Sequence, residues 1–359
     1  MIDPQSRPLE GPPMRLATRQ SALALAQAGL VADALRAAWP GVEVELVPVV
    51  TEGDRRRDVA TAALGGKGVF TGAVREAVLD GRADLAVHSA KDLPALQAGG
   101  LVLAAVPERA DPRDVLIARE PVRDLDDLPT GATVGTGSPR RLALLRFLRP
   151  DLEVVPIRGN VDTRLRKARS GELDAVVLAA AGLVRLGLGD EVVAPLDPES
   201  FTPAPAQGCL AVEAREDDSR VLGLVAAITH RPSRVALRGE RAFLARLGGS
   251  CTLPAGALLT RPADGRLEMH GFLAAANGKG LVRERLAGPL DDPEGLGEAL
   301  ATRLLDACGP EVRAWSNPAA APDGGMATPP RGPYAAGIST SVAATADGDG
   351  TGSPWARRL

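Results

Sequence analysis

Two stretches of the chain alternate short aliphatic runs with helical patterns, and this alternation limits the possible folds more than any other feature. In the first stretch, residues 14–18, 42–50 and 84–89 have the aliphatic and β-branched composition of strands, and a helical pattern begins at Ser21. The second stretch repeats the scheme over about residues 113–203. Such alternation favours parallel sheets with helical crossovers. The sequence therefore predicts two α/β lobes that face a cleft.

The rest of the chain has a different pattern. From residue 230 onward, one helix, three strands and a closing helix indicate an α+β module. Both ends are rich in Pro, Gly and Ala without periodicity, and such segments cannot bury enough apolar surface to offset their chain entropy. We predict a disordered leader at 1–13, a first α/β domain at 14–107 plus 207–229, a second at 108–206, an α+β domain at 230–312, and a disordered tail at 313–359.

Composition excludes several classes of protein. The cysteines Cys209, Cys251 and Cys308 form no CxxC pair and the chain has only three histidines, which excludes a zinc ribbon, an iron–sulfur cluster and a disulfide framework. We expect no metal. A net charge of −3 and an aromatic content of 3% argue against nucleic-acid and membrane partners. Since no apolar run has the length of a secretion signal or a membrane span, we expect a cytoplasmic location.

Arginines accompany capping residues at three predicted junctions between a strand and a helix. In open parallel sheets, ligands bind at the carboxyl ends of the strands, where these junctions lie. Helix N-termini and guanidinium groups both bind carboxylates or phosphates. An arginine in the first turn opposes the helix dipole unless an anion lies there. The residues are Arg19 and Ser21 at the first junction, Ser138, Arg140 and Arg141 at the second, and Arg158, Asn160 and Arg164 at the third.

The same region has a local excess of positive charge. Residues 131–170 contain eight arginines and one lysine against three acidic residues. A solvated, arginine-rich helix face accounts for Arg146 and Arg166, whereas the arginines beside the caps favour a bound anion. Because aromatic stacking residues are scarce, the pattern predicts a small polyanion rather than a nucleic acid.

Two further segments carry candidate chemistry. The glycine-rich residues 64–70 lack the spacing of a P-loop and predict a lid that bears Lys67. At the end of the strand 84–89, Lys91 and Asp92 form either a general acid/base site or a surface ion pair. The neighbouring His88 is expected to pack internally.

Cys251 lies in the segment LGGSCTLPAG, where two glycines and a serine indicate a flexible turn between a helix and a strand. An exposed thiolate in such a turn can react. The alternative is an inert loop cysteine. Cys209 and Cys308 are expected to be structural.

Several blocks of the chain, in order, resemble the hydroxymethylbilane synthase (porphobilinogen deaminase) family. They include RLATRQSALAL, GGKGVFT, RADLAVHSAKDLP, VGTGSPRR, IRGNVDTRL, PAPAQGCLAVE and ERAFLARLGGSC, and they cover nearly all of residues 14–312. The resemblance implies a transferase of tetrapyrrole biosynthesis. Such an enzyme condenses four porphobilinogen molecules stepwise onto a covalent dipyrromethane primer, releases ammonia each time, and frees hydroxymethylbilane by hydrolysis.

The resemblance also implies roles for individual residues. Cys251 holds the dipyrromethane through a thioether, and Asp92 is the catalytic carboxylate that stabilises the positively charged azafulvene. The residues expected to bind cofactor and substrate are Arg19, Ser21, Lys67, Ser89, Lys91, Ser138, Arg140, Arg141, Arg158, Asn160, Arg164 and Gln207. The implied fold is α/β, with two periplasmic-binding-protein-like lobes around a cleft and a smaller C-terminal α+β domain. We expect a monomer that hands its product transiently to the next enzyme of the pathway.

A different class of protein has a similar lobe pattern, namely a non-catalytic, two-lobed binding protein for a small polycarboxylate. Such a protein would have no use for Asp92 or Cys251. It would also carry an export signal or a DNA-binding helix-turn-helix, and the sequence shows neither.

Overall fold

The structure is a computed structural model that describes residues 11–51, 71–95, 98–192, 194–249, 253–262, 265–275, 280–309 and 312. Its helices and strands, in chain order, are β1 (Met14–Arg19), α1 (Ala22–Ala38), β2 (Val44–Val49), α2 (Gly72–Leu79), β3 (Leu85–Ser89), β4 (Leu101–Ala105), β5 (Asp114–Ala118), β6 (Thr133–Gly135), α3 (Pro139–Leu148), β7 (Glu153–Val155), α4 (Val161–Arg169), β8 (Ala175–Ala179), α5 (Ala180–Arg185), β9 (Ala194–Pro195), β10 (Leu210–Arg215), α6 (Ser219–Val225), α7 (Arg231–Arg246), β11 (Ala255–Thr260), β12 (Leu267–Leu273), β13 (Val282–Gly288) and α8 (Pro293–Ala307).

Two five-stranded sheets of the same design form the two lobes. The first has the order β2-β1-β3-β10-β4, and the second has the order β7-β6-β8-β5-β9. Among the described residues, the third sheet is formed by the antiparallel strands β11, β12 and β13. Two α/β lobes and a smaller α+β module are therefore confirmed. The residue limits of the domains stay predictions, and the leader and tail lie outside the described residues apart from residues 11–13.

The expectation of parallel sheets is only partly right, because each lobe has a mixed sheet. The strands β1, β2 and β3 are parallel, as are β6, β7 and β8. By contrast, β10 is antiparallel to β3 and β4, and β5 is antiparallel to β8 and β9. Both exceptions are strands that the chain enters on arriving from the other lobe, so their direction is set by the crossing and not by a local helical connection.

Local sequence signals explain where the helices at the cleft begin. The hydroxyl of Ser21 accepts a hydrogen bond from the Ala24 amide at 3.3 Å and caps α1. Ser138 caps α3 in the same way, and Pro139 occupies the first helical position, where its missing N–H is harmless. Asn160 is the N-cap residue of α4. The three predicted strand–helix junctions are therefore present.

Aliphatic side chains fill the cores, as the low aromatic content requires. In the first lobe, Leu16, Val31 and Leu85 belong to one buried cluster. The buried cluster of the second lobe also includes Phe272 of β12 and Ala274, which directly follows that strand. The α+β module is thus packed against the second lobe.

The chain crosses between the lobes twice, over residues 106–113 and 196–209, and the two crossing segments contact each other. The Ala110 amide donates a hydrogen bond to the Gly208 carbonyl at 3.2 Å. Gly208 has a φ of +86°, and a Cβ atom there would lie 2.3 Å from the Ala110 oxygen. Only glycine fits this close approach of two backbones.

A buried carboxylate joins the crossing segments to the α+β module. Glu240 of α7 has no solvent exposure and accepts two hydrogen bonds from Arg109, at 2.6 and 3.0 Å. It also accepts hydrogen bonds from the amides of Ala206 and Leu259. The charge of Glu240 is therefore balanced, and its partners come from both crossings and from β11.

Among the described residues, every helix is too short or too polar to traverse a lipid bilayer.

Candidate active-site cleft

A cavity of about 120 Å³ lies between the two lobes, and residues of both lobes form its wall. Five of the residues predicted from the sequence line it, namely Ser89, Lys91, Arg141, Arg164 and Gln207. Arg185 at the end of α5 also lines it. The described lining residues thus bring four cationic side chains together and include no carboxylate, which makes the cavity suited to a ligand with several negative charges.

Lys91 lies in a 3₁₀ turn, Ala90–Asp92, directly after β3. Its Nζ donates a hydrogen bond to Oε1 of Gln207 at 3.1 Å, so Lys91 does not form the surface ion pair that was one alternative. Burial and the nearby charge of Arg141 lower the pKa of Lys91 to about 8, against the opposing effect of Asp92. Lys91 is therefore cationic at neutral pH and close to its titration range.

The arginines at the start of α3 face a carboxylate of the chain itself. Asp114, at the start of β5, has no solvent exposure. It accepts hydrogen bonds from Arg140 at 2.6 Å and from Arg141 at 2.7 and 3.1 Å. Burial raises the pKa of Asp114, but the charges of the two arginines outweigh it and the pKa falls to about 2. An anion of the chain itself therefore offsets part of the positive charge at this helix start, and ligand binding by Arg140 and Arg141 stays a prediction.

Arg140 and Arg141 differ in what they reach. Arg141 lines the cavity and also donates to the Val177 carbonyl at 2.7 Å. Arg140 is only 3% exposed, donates to the Thr202 carbonyl at 2.8 Å, and is not among the residues that line the cavity. Of these two arginines, Arg141 is therefore the one that a ligand in the cavity can contact directly.

The other described residues predicted for the site lie at the carboxyl ends of strands without lining this cavity. Arg19 ends β1, and Asp92 ends the turn after β3 with its side chain exposed. The remaining four are Ser21, Ser138, Arg158 and Asn160. They place hydroxyl, amide, carboxylate and guanidinium groups on the same edges of the two sheets as the cavity.

Cys251 and Lys67 lie outside the described residues, and the nearest described residue before Cys251 is Gly249. A Cβ atom on Gly249 would lie 3.4 Å from the Cβ of Ala95, three residues after Asp92. Arg241 of α7 donates to the carbonyls of Pro94 and Ala95, both at 2.9 Å. The loop that follows Asp92 therefore lies against the segment that leads to Cys251.

His88 packs internally, as predicted. It is 6% exposed, and its Nε2 lies 3.3 Å from a carboxylate oxygen of Glu213 on β10. Glu213 in turn accepts two hydrogen bonds from Arg75 of α2, each at 2.8 Å. This cluster connects β3, β10 and α2.

Sequence reasoning missed three residues of the site. Gln27 exchanges hydrogen bonds with Ser89, and its signal was a polar residue on the apolar face of a helix. Arg185 donates to the Gly208 carbonyl at 2.6 Å, and burial lowers its pKa to about 10. It ends a helix whose N-cap residue is Ala179, so the rule applied at the other three junctions, an arginine beside a capping side chain, does not find it. Asp114 gave no local signal, since its partners lie 26 and 27 residues away.

Two family models match the chain. The model described as "Porphobilinogen deaminase, dipyromethane cofactor binding domain" matches residues 14–223, and the model described as "Porphobilinogen deaminase, C-terminal domain" matches residues 235–306. This chain belongs to the porphobilinogen deaminase family. The family domain that binds the dipyrromethane cofactor thus spans both lobes and the cavity between them.

Curated relatives agree with this membership of the porphobilinogen deaminase family. The porphobilinogen deaminase of Roseiflexus castenholzii is 49% identical over 296 residues, which are 82% of this chain and 97% of that protein. Porphobilinogen deaminase 1 of Streptomyces coelicolor is 48% identical over 81% of this chain and 94% of its own length.

Among solved structures, similarity extends to two-lobed binding proteins. A substrate-binding domain of a putative amino acid ABC transporter from Streptococcus pneumoniae has a TM-score of 0.38 at 14% identity, over 66% of this chain and 96% of its own. A putative periplasmic sulfonate-binding protein from Methylobacillus flagellatus has a TM-score of 0.35 at 18% identity, over 64% and 67%.

The described residues fit the dipyrromethane cofactor of the family. A dipyrromethane made from porphobilinogen carries acetate and propionate groups, and the cavity wall presents Lys91, Arg141, Arg164 and Arg185. Arginine and lysine side chains are the usual partners of such carboxylates. The donor set therefore matches the charge of the group.

Proposed function

We propose that this chain is a hydroxymethylbilane synthase and that the cleft between its lobes carries out the reaction. The observation that supports this most directly is the cavity, where four cationic side chains from both lobes meet beside the turn that bears Asp92. The substrate porphobilinogen and its oligomers are polycarboxylates, so every added unit brings further anions that these cations bind. A simple binding protein would need the cations but not the carboxylate next to them.

Asp92 is the proposed catalytic residue. Each condensation breaks the aminomethyl C–N bond of porphobilinogen and releases ammonia, and a C–C bond then forms to a pyrrole α-carbon, which loses its proton. Positive charge develops on the substrate as the amine departs. A carboxylate that accepts hydrogen bonds from the pyrrole N–H groups stabilises that charge. Asp92 is exposed at the carboxyl end of β3, and its neighbour Lys91 holds a substrate carboxylate.

Cys251 is the proposed attachment residue. The contact between Gly249 and Ala95 supports this, because it brings the segment before Cys251 to the loop after Asp92. The pyrrole α-carbon for the first condensation comes from the dipyrromethane when it is bound. Arg241 keeps the backbone of residues 94–95 attached to α7, which leads toward Cys251.

Carboxylate binding is assigned to Lys91, Arg141 and Arg164 in the cavity, with Ser89 and Gln207 as polar partners. We keep as predictions the contacts with cofactor and substrate that the sequence assigns to Arg19, Ser21, Lys67, Ser138, Arg140, Arg158 and Asn160. A cytoplasmic location, a monomeric state and handover to a following enzyme also stay predictions.

Whole-protein mass spectrometry tests the proposal. The purified protein should carry a covalent excess over its 37.0 kDa polypeptide, and the excess should disappear in Cys251→Ala. The matched control is Cys308→Ala, since Cys308 is a buried cysteine of the same module and should leave the adduct in place. A wild-type chain of unmodified mass that binds polycarboxylates without releasing ammonia would instead support the binding-protein alternative.

A further inference from the structure

Asp114 is the point at which the second lobe, the crossing segment and the cavity wall are connected. Both of its carboxylate oxygens are occupied. One accepts from Arg140, and the other accepts from Arg141 and from Nε2 of Gln207, at 2.9 Å. Gln207 then uses its own oxygen to accept from Lys91. A continuous hydrogen-bonded relay therefore runs from Asp114 through Gln207 to Lys91.

The relay explains how Gln207 is oriented. Its Nε2 donates to Asp114 and to the Pro112 carbonyl at 2.8 Å, so this end of the amide is a double donor. The amide oxygen is consequently turned toward the cavity, where it accepts from the Lys91 ammonium. Without a carboxylate at 114, only the Pro112 carbonyl holds the amide in this orientation, and Lys91 has a less firmly fixed acceptor.

Asp114 also fixes Arg141 in the cavity wall. The Nε and one terminal nitrogen of Arg141 both bind the same oxygen of Asp114, which holds the guanidinium in one plane. The remaining terminal nitrogen donates to the Val177 carbonyl. A ligand carboxylate therefore meets an arginine that is already oriented.

We propose that Asp114 is a positioning residue of the reaction: it touches no substrate, but it orients Arg141 directly and Lys91 through Gln207. This inference rests on the proposed function, and it assigns a task to a carboxylate that would otherwise only balance two arginines. It also assigns Arg140 to the support of this carboxylate.

The variant Asp114→Asn tests the proposal in the full-length protein that carries its dipyrromethane cofactor. Asparagine replaces one acceptor oxygen with a donor that faces an arginine. We expect kcat/KM for porphobilinogen to fall on the order of 100-fold, the scale found when a catalytic arrangement is slightly misplaced. The control is Glu213→Gln, which removes a carboxylate from another buried ion pair whose arginine, Arg75, does not line the cavity.

A pH profile separates positioning from loss of stability. The negative charge of Asp114 raises the pKa of Lys91, as does Asp92, whereas Arg140 and Arg141 lower it. Arg164 and Arg185 face the same cavity. In Asp114→Asn the alkaline limb of kcat/KM should therefore move to lower pH than in the wild type, while in Glu213→Gln it should not move.

Two results would overturn the proposal. One is a kcat/KM for folded Asp114→Asn within threefold of that of Glu213→Gln, and the other is an alkaline limb shared by both variants. If Asp114→Asn yields no folded protein, Gln207→Leu decides, because it leaves both arginine pairs of Asp114 intact and removes the amide that links Asp114 and the Pro112 carbonyl to Lys91. It should reduce kcat/KM and lower the alkaline limb, and wild-type values for both would refute the relay. Failure in either test leaves the adduct on wild-type Cys251 untouched, so the proposed function is judged separately.

Discussion

Replacing Gly208 with alanine should destabilise the protein by forcing the two crossing segments apart. The backbone of Gly208 has a φ of +86°, a conformation that costs an L-residue about 1–2 kcal/mol. The new Cβ atom would lie 2.3 Å from the Ala110 oxygen, far inside van der Waals contact. Moving the segments apart weakens the hydrogen bond from the Ala110 amide to Gly208, which contributes about 0.5–1.5 kcal/mol.

Together the backbone penalty and the weakened hydrogen bond amount to about 1.5–3.5 kcal/mol. For a domain of 150–250 residues, each kcal/mol shifts Tm by about 2–4 °C, so Gly208→Ala should melt roughly 3–14 °C below the wild type. The control is Gly81→Ala. Gly81 has a φ of +73° and open space around its Cβ direction, so only the backbone penalty applies.

The assay is thermal unfolding of the two variants side by side, followed by circular dichroism. The difference between them isolates the close approach at the crossing, since both carry the same positive-φ penalty. Melting temperatures within about 2 °C of each other would show that the crossing segments separate without resistance, and the reasoning would be wrong. Because the Gly208 carbonyl also accepts from Arg185, a raised KM for porphobilinogen should accompany the lower Tm.

Three further outcomes are expected. Asp92→Asn should retain any covalent adduct that forms, yet lower turnover by about 10²–10⁴-fold, and unchanged ammonia release in a stopped assay would remove Asp92 from the mechanism. The adjacent His88 and Arg75 lower the pKa of Glu213 to about 2 against the opposing effect of burial. The contribution of Glu213 to stability, on the order of 3 kcal/mol, is therefore present above about pH 4.5 and is lost as the pH falls toward 2. Urea unfolding of Glu213→Gln should accordingly show lower stability at pH 7 and a flatter dependence between pH 5 and pH 2, whereas a curve parallel to that of the wild type would contradict the assignment. Trp39→Phe removes the 2.8 Å hydrogen bond from the indole to the Leu224 carbonyl and should cost about 1 kcal/mol in the same assay, and a wild-type midpoint would show that the bond contributes nothing.

The sequence predicts well those features of the site that depend on neighbours along the chain. Ser21 and Ser138 are recognisable as caps because the helix start and the strand before it are local patterns. For the same reason, the arginines beside these caps were correctly placed at the carboxyl ends of strands. Local sequence patterns therefore predict where a strand–helix junction lies and which side chains it carries.

Features that depend on distant partners were not predictable in the same way. The sequence predicts ligand binding for Arg140 and Arg141 because they follow a helix cap, yet Asp114 of β5 binds both of them. The alternation of strands and helices likewise does not predict that β5 is antiparallel to β8. The sequence of a five-residue strand does not indicate which sheet it joins or in which direction, because strand pairing depends on the topology of the whole fold.

The two adjacent crossings also determine how the cleft can accommodate a growing product. A cavity of about 120 Å³ is smaller than the ~300–1,000 Å³ that typical small-molecule sites enclose, and a chain of linked pyrroles needs more space with every addition. The backbones at Gly208 and Ala110 are already in contact, so they form the fixed edge of the cleft. Extra room for the growing product therefore requires the two lobes to separate on the side of the cleft away from these crossing segments.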